Sequence, residues 1–178
     1  MPNSLSIEAC LEMICSLHVM TLATSSSQAA WSAPVYYYYT DKTFFFFSSE
    51  KSLHIKNALE SKRLCAASIF QDNARFKNAG IDPPGIDSQG FDPQGFDPPG
   101  FDQPGFDQIK GIQMSGKIDR VSKKSLTLRV AKGYIKRFGL KPKSGDYLKF
   151  IETIFHAKLF CFIPDTIFFM DKIGRAHV

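Results

Sequence analysis

The sequence lacks several features, and each absence removes a class of function. No run of about 18 apolar residues occurs, so nothing reads as a membrane-spanning helix. The N-terminus has no basic stretch leading into an apolar one, so it does not read as a secretory leader, and a cytoplasmic location is expected. Cysteine is sparse: Cys10, Cys15, Cys65 and Cys161 form no CxxC pair and sit among apolar residues. They read as reduced, mostly buried thiols rather than disulfides or metal ligands, and no metal is expected. No Ser-His-Asp order, H-E-x-x-H helix or paired-carboxylate arrangement stands out. Without a protein-borne nucleophile, any redox chemistry belongs to a bound cofactor. A compact basic run interleaved with aromatics is also missing, so nucleic acid is not the expected partner.

Charge is present but unevenly placed. The 178 residues carry 22 Lys and Arg against 17 Asp and Glu, a formal net charge of +5. Residues 80–108 hold six aspartates and no Lys or Arg, so the remainder carries 22 basic against 11 acidic groups, or +11. Such a balance suits an anionic ligand such as a phosphate ester. The same acidic segment belongs to six tandem copies of G-(I/F)-D-x-x that begin at Gly80. Gly and Pro recurring this densely oppose both helix and sheet ladders. Five residues is too short a unit for a solenoid. The repeat therefore reads as a solvated surface-loop insertion, which chain entropy tolerates well.

The rest is organised around residues 31–57, WSAPVYYYYTDKTFFFFSSEKSLHIKN. Residues 33–39 and 44–47 are aromatic runs that suit a pleated surface, and Thr40-Asp41-Lys42 between them is short enough for a hairpin. Directly after the second run come Ser48, Ser49, Glu50, Lys51 and Ser52, then a helix over 53–59. Hydroxyls, lysine and fresh helix N–H groups thus meet at one strand end, a reasonable place for a phosphate. Alternation along the two aromatic strands puts half of their rings in a core or an interface.

Before this stretch, Ser6 reads as an N-cap, with Ile7, Leu11, Ile14 and Leu17 or His18 forming one apolar helix face. Residues 19–24 read as a strand and 25–28 as a turn. After it, residues 65–70 form a buried strand and 109–121 a long one, with a bulge or close backbone approach at Gly111 and Gly116. Residues 122–138 form a basic helix stopped by Gly139. Residues 146–155 form a short helix, and 158–163 and 166–170 form two strands parted by Pro164-Asp165. About seven strands, mostly consecutive, with three to four helices predict a mainly β domain: an antiparallel, nearly closed barrel with peripheral helices.

The ordered series VMTLAT, SAPVYYYY, FFFFSSEKSLHIKN, CAASIF and IKGIQMSGKIDRV resembles the FMN-binding split-barrel superfamily, the pyridoxamine 5'-phosphate oxidase-like proteins. Within it the likeness is closest to the YhbP-type branch. Trp31, the segment Lys132-Gly133-Tyr134…Arg137-Phe138 and DTIFFMDK at 165–172 carry that part of the likeness. The resemblance implies a split barrel over residues 1–172 that pairs as a homodimer, with FMN in a groove at the subunit interface. The isoalloxazine would lie along Ser32, Ala33, Pro34, Val35 and Tyr36. The phosphate would meet Ser48, Ser49, Ser52, His54 and Lys56, and Gln113 would stand near the ring. An oxidoreductase of unknown substrate is the implied activity. Leu53-His54 replaces the Arg-Lys pair of true pyridoxamine-phosphate oxidases, and Ser32 and Tyr37 replace their strand-borne basic residues. That removes guanidinium forks suited to a dianion, so the pyridoxamine oxidase reaction is not expected. The competing reading is a non-catalytic split barrel that binds haem or another anionic ligand, or no cofactor. A third makes the repeat an interaction module on an inert barrel.

Residues 173–178, IGRAHV, match the translation of a common sequencing adapter, and the family-like pattern stops at Lys172. The natural C-terminal sequence is expected to differ from this tail, and His177 and Arg175 are left out of the site.

Overall fold

The computed structural model describes residues 4–27, 29–60, 64–71, 110–142, 146–155, 157–172 and 175–177. The acidic repeat at 80–108 lies outside the described residues. Among the described residues four helices, α1 (Ser4–Ser16), α2 (Leu53–Glu60), α3 (Lys124–Arg137) and α4 (Tyr147–Phe155), accompany eight strands. The strands are β1 (Val19–Ser25), β2 (Ala30–Tyr36), β3 (Tyr38–Thr40), β4 (Thr43–Ser48), β5 (Leu64–Gln71), β6 (Lys110–Arg120), β7 (Lys158–Lys172) and β8 (Arg175–His177). Seven form one antiparallel sheet in the order β2-β1-β5-β6-β7-β4-β3, and β8 pairs with β7.

That order dictates a curled sheet. β2 and β3 are its two outermost strands, yet only Tyr37 separates them in the chain. The edges must therefore meet at Tyr37. The expected single strand over 33–39 is in fact broken there, because its halves serve opposite edges. Tyr37 is fully buried, its ring meets Phe44 edge-on at 5.3 Å, and its hydroxyl donates to the Ile14 carbonyl at 2.8 Å. One core results, in which Met20 and Leu22 of β1, Val35 of β2, Phe44 and Phe46 of β4, and Phe160 and Phe162 of β7 all join. Away from Tyr37 the edges part, leaving a half-barrel.

β4 is buried on both faces. Phe44 and Phe46 fill the barrel, whereas Phe45 and Phe47 pack outward beneath α3 and α4. Gly133 on α3 is needed for that packing: a Cβ there would lie 2.6 Å from the Tyr38 hydroxyl oxygen. α3 ends at Arg137 with Phe138 as its C-cap, and Gly139 takes φ +61°, the left-handed stop that its sequence position suggests. Asp146 Oδ1 accepts the Lys149 amide at 3.0 Å and so caps α4.

Three local readings need correction. α1 begins at Ser4, so Ser6 is inside it rather than its cap. The buried face of α1 is Cys10, Met13 and Ile14 with Leu17 packed against it, while Ile7 and Leu11 are exposed. The sheet reaches only the C-terminal half of α1, so the apolar stripe chosen from spacing was rotated. Finally, the two strands expected on either side of Pro164-Asp165 are one, β7. Asp165 is bulged out there: Ser115 pairs with Thr166, but Gly116 pairs with Pro164. Gly116 permits this, since a Cβ would overlap the Ile163 carbonyl oxygen and sit 2.9 Å from Pro164 Cα.

Candidate functional site

α3 and α4 cover the outside of β4 and its neighbours, and among the described residues no helix covers the outside of β2, β1, β5 and β6. Strand register aligns the side chains of this bare face in rows. Ser32, Ala23, Ala66, Ser115 and Thr166 form one, and Pro34, Thr21, Ser68, Gln113 and Phe168 the next. The first row is paved with small side chains, and over it lies an open groove of about 570 Å³. Trp31 at the start of β2 and Asp165 at the β7 bulge form two of its walls. At the far end of the same face, Tyr36 and Phe70 stand 58% and 60% exposed.

Ser32, Pro34, Tyr36 and Gln113 thus share one exposed face. Ala33 and Val35 do not: their side chains point into the barrel and are buried, so only their backbone borders that face. Ala23, Ala66, Ser115 and Asp165 were missed in the sequence reading. Their signal was the alternation of small residues in LAT, CAAS and MSG, which is visible only once register places those segments side by side.

The second group forms at the junction of β4 and α2, at the same end of the barrel as the groove. Ile55 and Ala58 of α2 plug the barrel end and are fully buried; a buried Ile alone contributes roughly 1.5–3 kcal/mol. α2 packs on β1, β2 and β6 and so holds its first turn against Ser48. Ser48 Oγ lies 2.8 Å from His54 Nε2 and 3.0 Å from Ser52 Oγ. Ser52 Oγ donates to the Ser49 carbonyl at 2.6 Å and approaches His54 Nε2 at 3.4 Å. Ser49 Oγ accepts the Lys51 amide at 3.2 Å. Ser48 is buried, His54 and Ser52 are half-buried, and Lys56 is exposed on the next turn. Burial holds the His54 imidazole below its usual pKa, so it is neutral at pH 7. Glu50 pairs with Arg120 beside this cluster.

Two buried polar atoms at this end have no hydrogen-bond partner among the described residues: Thr24 Oγ1, on the barrel-facing side of β1 with Met20 and Leu22, and Asn57 Nδ2 on α2. Among those residues no three His, Cys, Asp or Glu side chains gather as metal ligands, and no helix is long and apolar enough to cross a membrane. Burial raises the Cys10 and Cys161 thiols and pushes Cys65 up to about 11, which keeps all three protonated.

No family model matches the chain, and no curated protein matches it in sequence. Solved structures do match in fold. ChuZ from Campylobacter jejuni is similar at 15% identity and a TM-score of 0.66, covering 99% of this chain and 60% of its own. A heme-binding protein from Mycobacterium smegmatis is similar at 14% identity and 0.60, covering 99% and 57%. An FAD-binding protein from Mesorhizobium loti is similar at 12% identity and 0.55, covering 93% and 92%. The chain thus spans about 60% of the length of the first two. At these identities the likeness speaks for architecture alone. With its two outer strands joined through Tyr37, the chain has the split-barrel fold.

Proposed function

We propose that this protein binds a flat, conjugated anionic cofactor against the outer face of β2, β1, β5 and β6, with FMN as the leading candidate. The observation that carries the reading is the groove of about 570 Å³ floored by Ala23, Ser32, Ala66 and Ser115. Small side chains in register let a planar ring approach the sheet closely. Ser32, Pro34, Tyr36 and Gln113 would border the ring, with the backbone of Ala33 and Val35 along its edge. The phosphate end would fall to Ser48, Ser49, Ser52, His54 and Lys56, which lie at the same end of the barrel. A bound flavin would supply hydride or electron transfer, and an oxidoreductase of unknown substrate is the activity that follows. A second copy of the chain would complete the groove, since it would cover Trp31, Tyr36 and Phe70, all more than 45% exposed. A cytoplasmic homodimer is the form we propose.

Haem is the second reading, and two observations favour it. Among the described residues, the groove is lined by more apolar than charged residues, with Asp165 the sole charged one. The half-buried part of the phosphate cluster carries no guanidinium. The Mycobacterium smegmatis neighbour adds a split barrel described as heme-binding. Absorption titration of the purified protein separates the two. Flavin bands and fluorescence quenching that saturate at one FMN per subunit support the first; a Soret band with haemin alone supports the second. A protein indifferent to both at high micromolar concentration overturns the proposal.

A further inference from the structure

The hydrogens of the cluster at the β4–α2 junction can be assigned from its distances. Ser52 Oγ lies 2.6 Å from the Ser49 carbonyl, which can only accept, so the Ser52 hydroxyl hydrogen is spent there. Ser52 Oγ therefore accepts in its 3.0 Å contact with Ser48 Oγ, and Ser48 must donate. With its one hydrogen given to Ser52, Ser48 Oγ must in turn accept from His54 Nε2 at 2.8 Å. The only assignment that satisfies all three contacts is a one-way chain from His54 Nε2–H through Ser48 and Ser52 to the Ser49 carbonyl. In the opposite tautomer, Ser48 would donate to His54 and face Ser52 lone pair to lone pair, in a position where Ser48 is 8% exposed.

This has a consequence for any anion. The cluster looks rich in hydroxyls, but with His54 neutral the Ser48, Ser52 and Nε2 hydrogens are all committed internally. Nδ1 then carries a lone pair, which would repel any phosphate oxygen brought against it. Protonation of His54 converts Nδ1 into a donor and adds a positive charge without disturbing the chain. We propose that His54 is the specificity-determining residue of this site: it binds a phosphate group about tenfold more tightly when Nδ1 is protonated, so ligand and proton bind together. This rests on the reading of the cluster as the phosphate end of the cofactor site.

The charged groups around the cluster, among the described residues, are as follows. β1 and β2, which pack on α2, carry no charged residue. β6 contributes Lys110, Lys117, Asp119 and Arg120, the last paired with Glu50. On α2 itself and the segment before it stand Lys51, Lys56 and Glu60, and Lys158 of β7 lies opposite Ser48. The α2 N-terminus, with its partial positive charge, also disfavours imidazolium until an anion arrives.

The test is a ¹⁵N-histidine NMR titration of the full chain, with and without inorganic phosphate. Without phosphate, His54 is expected as the neutral Nε2–H tautomer at pH 7.5. With saturating phosphate its apparent pKa should rise by about one unit, equivalent to roughly tenfold tighter binding by the protonated form. FMN should likewise bind about tenfold tighter at pH 5.5 than at pH 7.5, riboflavin should not, and His54→Gln should remove the difference. A neutral Nδ1–H tautomer, or a pKa unmoved by phosphate, overturns the proposal. If phosphate shifts His54 but FMN fails to bind at any pH, the cofactor reading falls and the proton-linked anion site stands.

Discussion

Tyr37 is the residue at which the sheet closes, and its two contributions can be separated by substitution. Tyr37→Phe removes the hydroxyl that donates to the Ile14 carbonyl. It leaves no orphan, because Arg137 Nη2 also reaches that carbonyl at 3.4 Å. The loss is therefore that of one net hydrogen bond, about 1 kcal/mol. In a chain of this length that lowers Tm by about 2–4 °C. Tyr37→Ala also removes a fully buried ring, its edge contact with Phe44 and the stacking of the Arg137 guanidinium 5.4 Å above it. Large-to-small changes at such sites cost about 3–5 kcal/mol, and here the barrel edges also lose their common plug. Urea unfolding followed by circular dichroism should show Tyr37→Phe shifting the midpoint slightly at unchanged slope, with Tyr37→Ala shifting it three to five times as far (roughly, from the same ratio). Equal effects from the two variants, or an alanine variant within about 1 kcal/mol of wild type, would refute closure at this residue.

Gly116→Ala should cost about 3 kcal/mol, since its Cβ meets the backbone of Ile163 and Pro164, which cannot rotate away; thermal unfolding reads it directly. Lys42→Gly should instead stabilise by about 0.5–1 kcal/mol, because Asp41 and Lys42 hold φ of 51° and 57° in a two-residue hairpin turn that favours glycine. Burial raises the folded pKa of both Tyr37 and Tyr134 above their unfolded value. The unfolded chain then releases these protons first, so stability is full below about pH 10 and falls as pH rises beyond it. Urea midpoints between pH 8 and 11 should fall, and less steeply in Tyr37→Phe. His54 has the opposite sign: its depressed pKa means stability is present above about pH 6.5 and is lost as pH falls, a slope that His54→Gln should flatten.

The fold was largely legible because its strands are strongly marked. FFFF, CAASIF and VMTLAT each lie within one strand, β4, β5 and β1 respectively. The bulge foreseen at Gly116 is present, and Gly139 ends its helix as expected. Legibility failed where partners at long range decide. Nothing local shows that the tyrosine run must break at Tyr37, since the break follows from where the two halves pair. The rotated face of α1 has the same origin, because only the sheet decides which stripe is covered. Pro164 looked like a strand end, yet a proline can sit at a bulge, and the glycine opposite makes room for it. At the site, serines and histidine at 48–54 could be singled out by chemistry, but their hydrogen-bond direction needed distances. The groove floor could not be found at all from sequence, since Ala23, Ala66 and Ser115 become neighbours only through register.

The central claim is that a planar cofactor lies on that floor, and filling the floor tests it most directly. Ala66 is exposed at the middle of the row and touches no core residue's side of the sheet. Ala66→Phe should therefore leave the barrel folded while raising a ring where the cofactor would lie. Titrations of wild type and Ala66→Phe with FMN and with haemin, read by absorbance and fluorescence, should show at least about tenfold weaker binding in the variant, a loss of some 1.4 kcal/mol. Unchanged affinity for whichever cofactor binds, in a variant with unchanged thermal stability, would place the cofactor elsewhere and contradict the account.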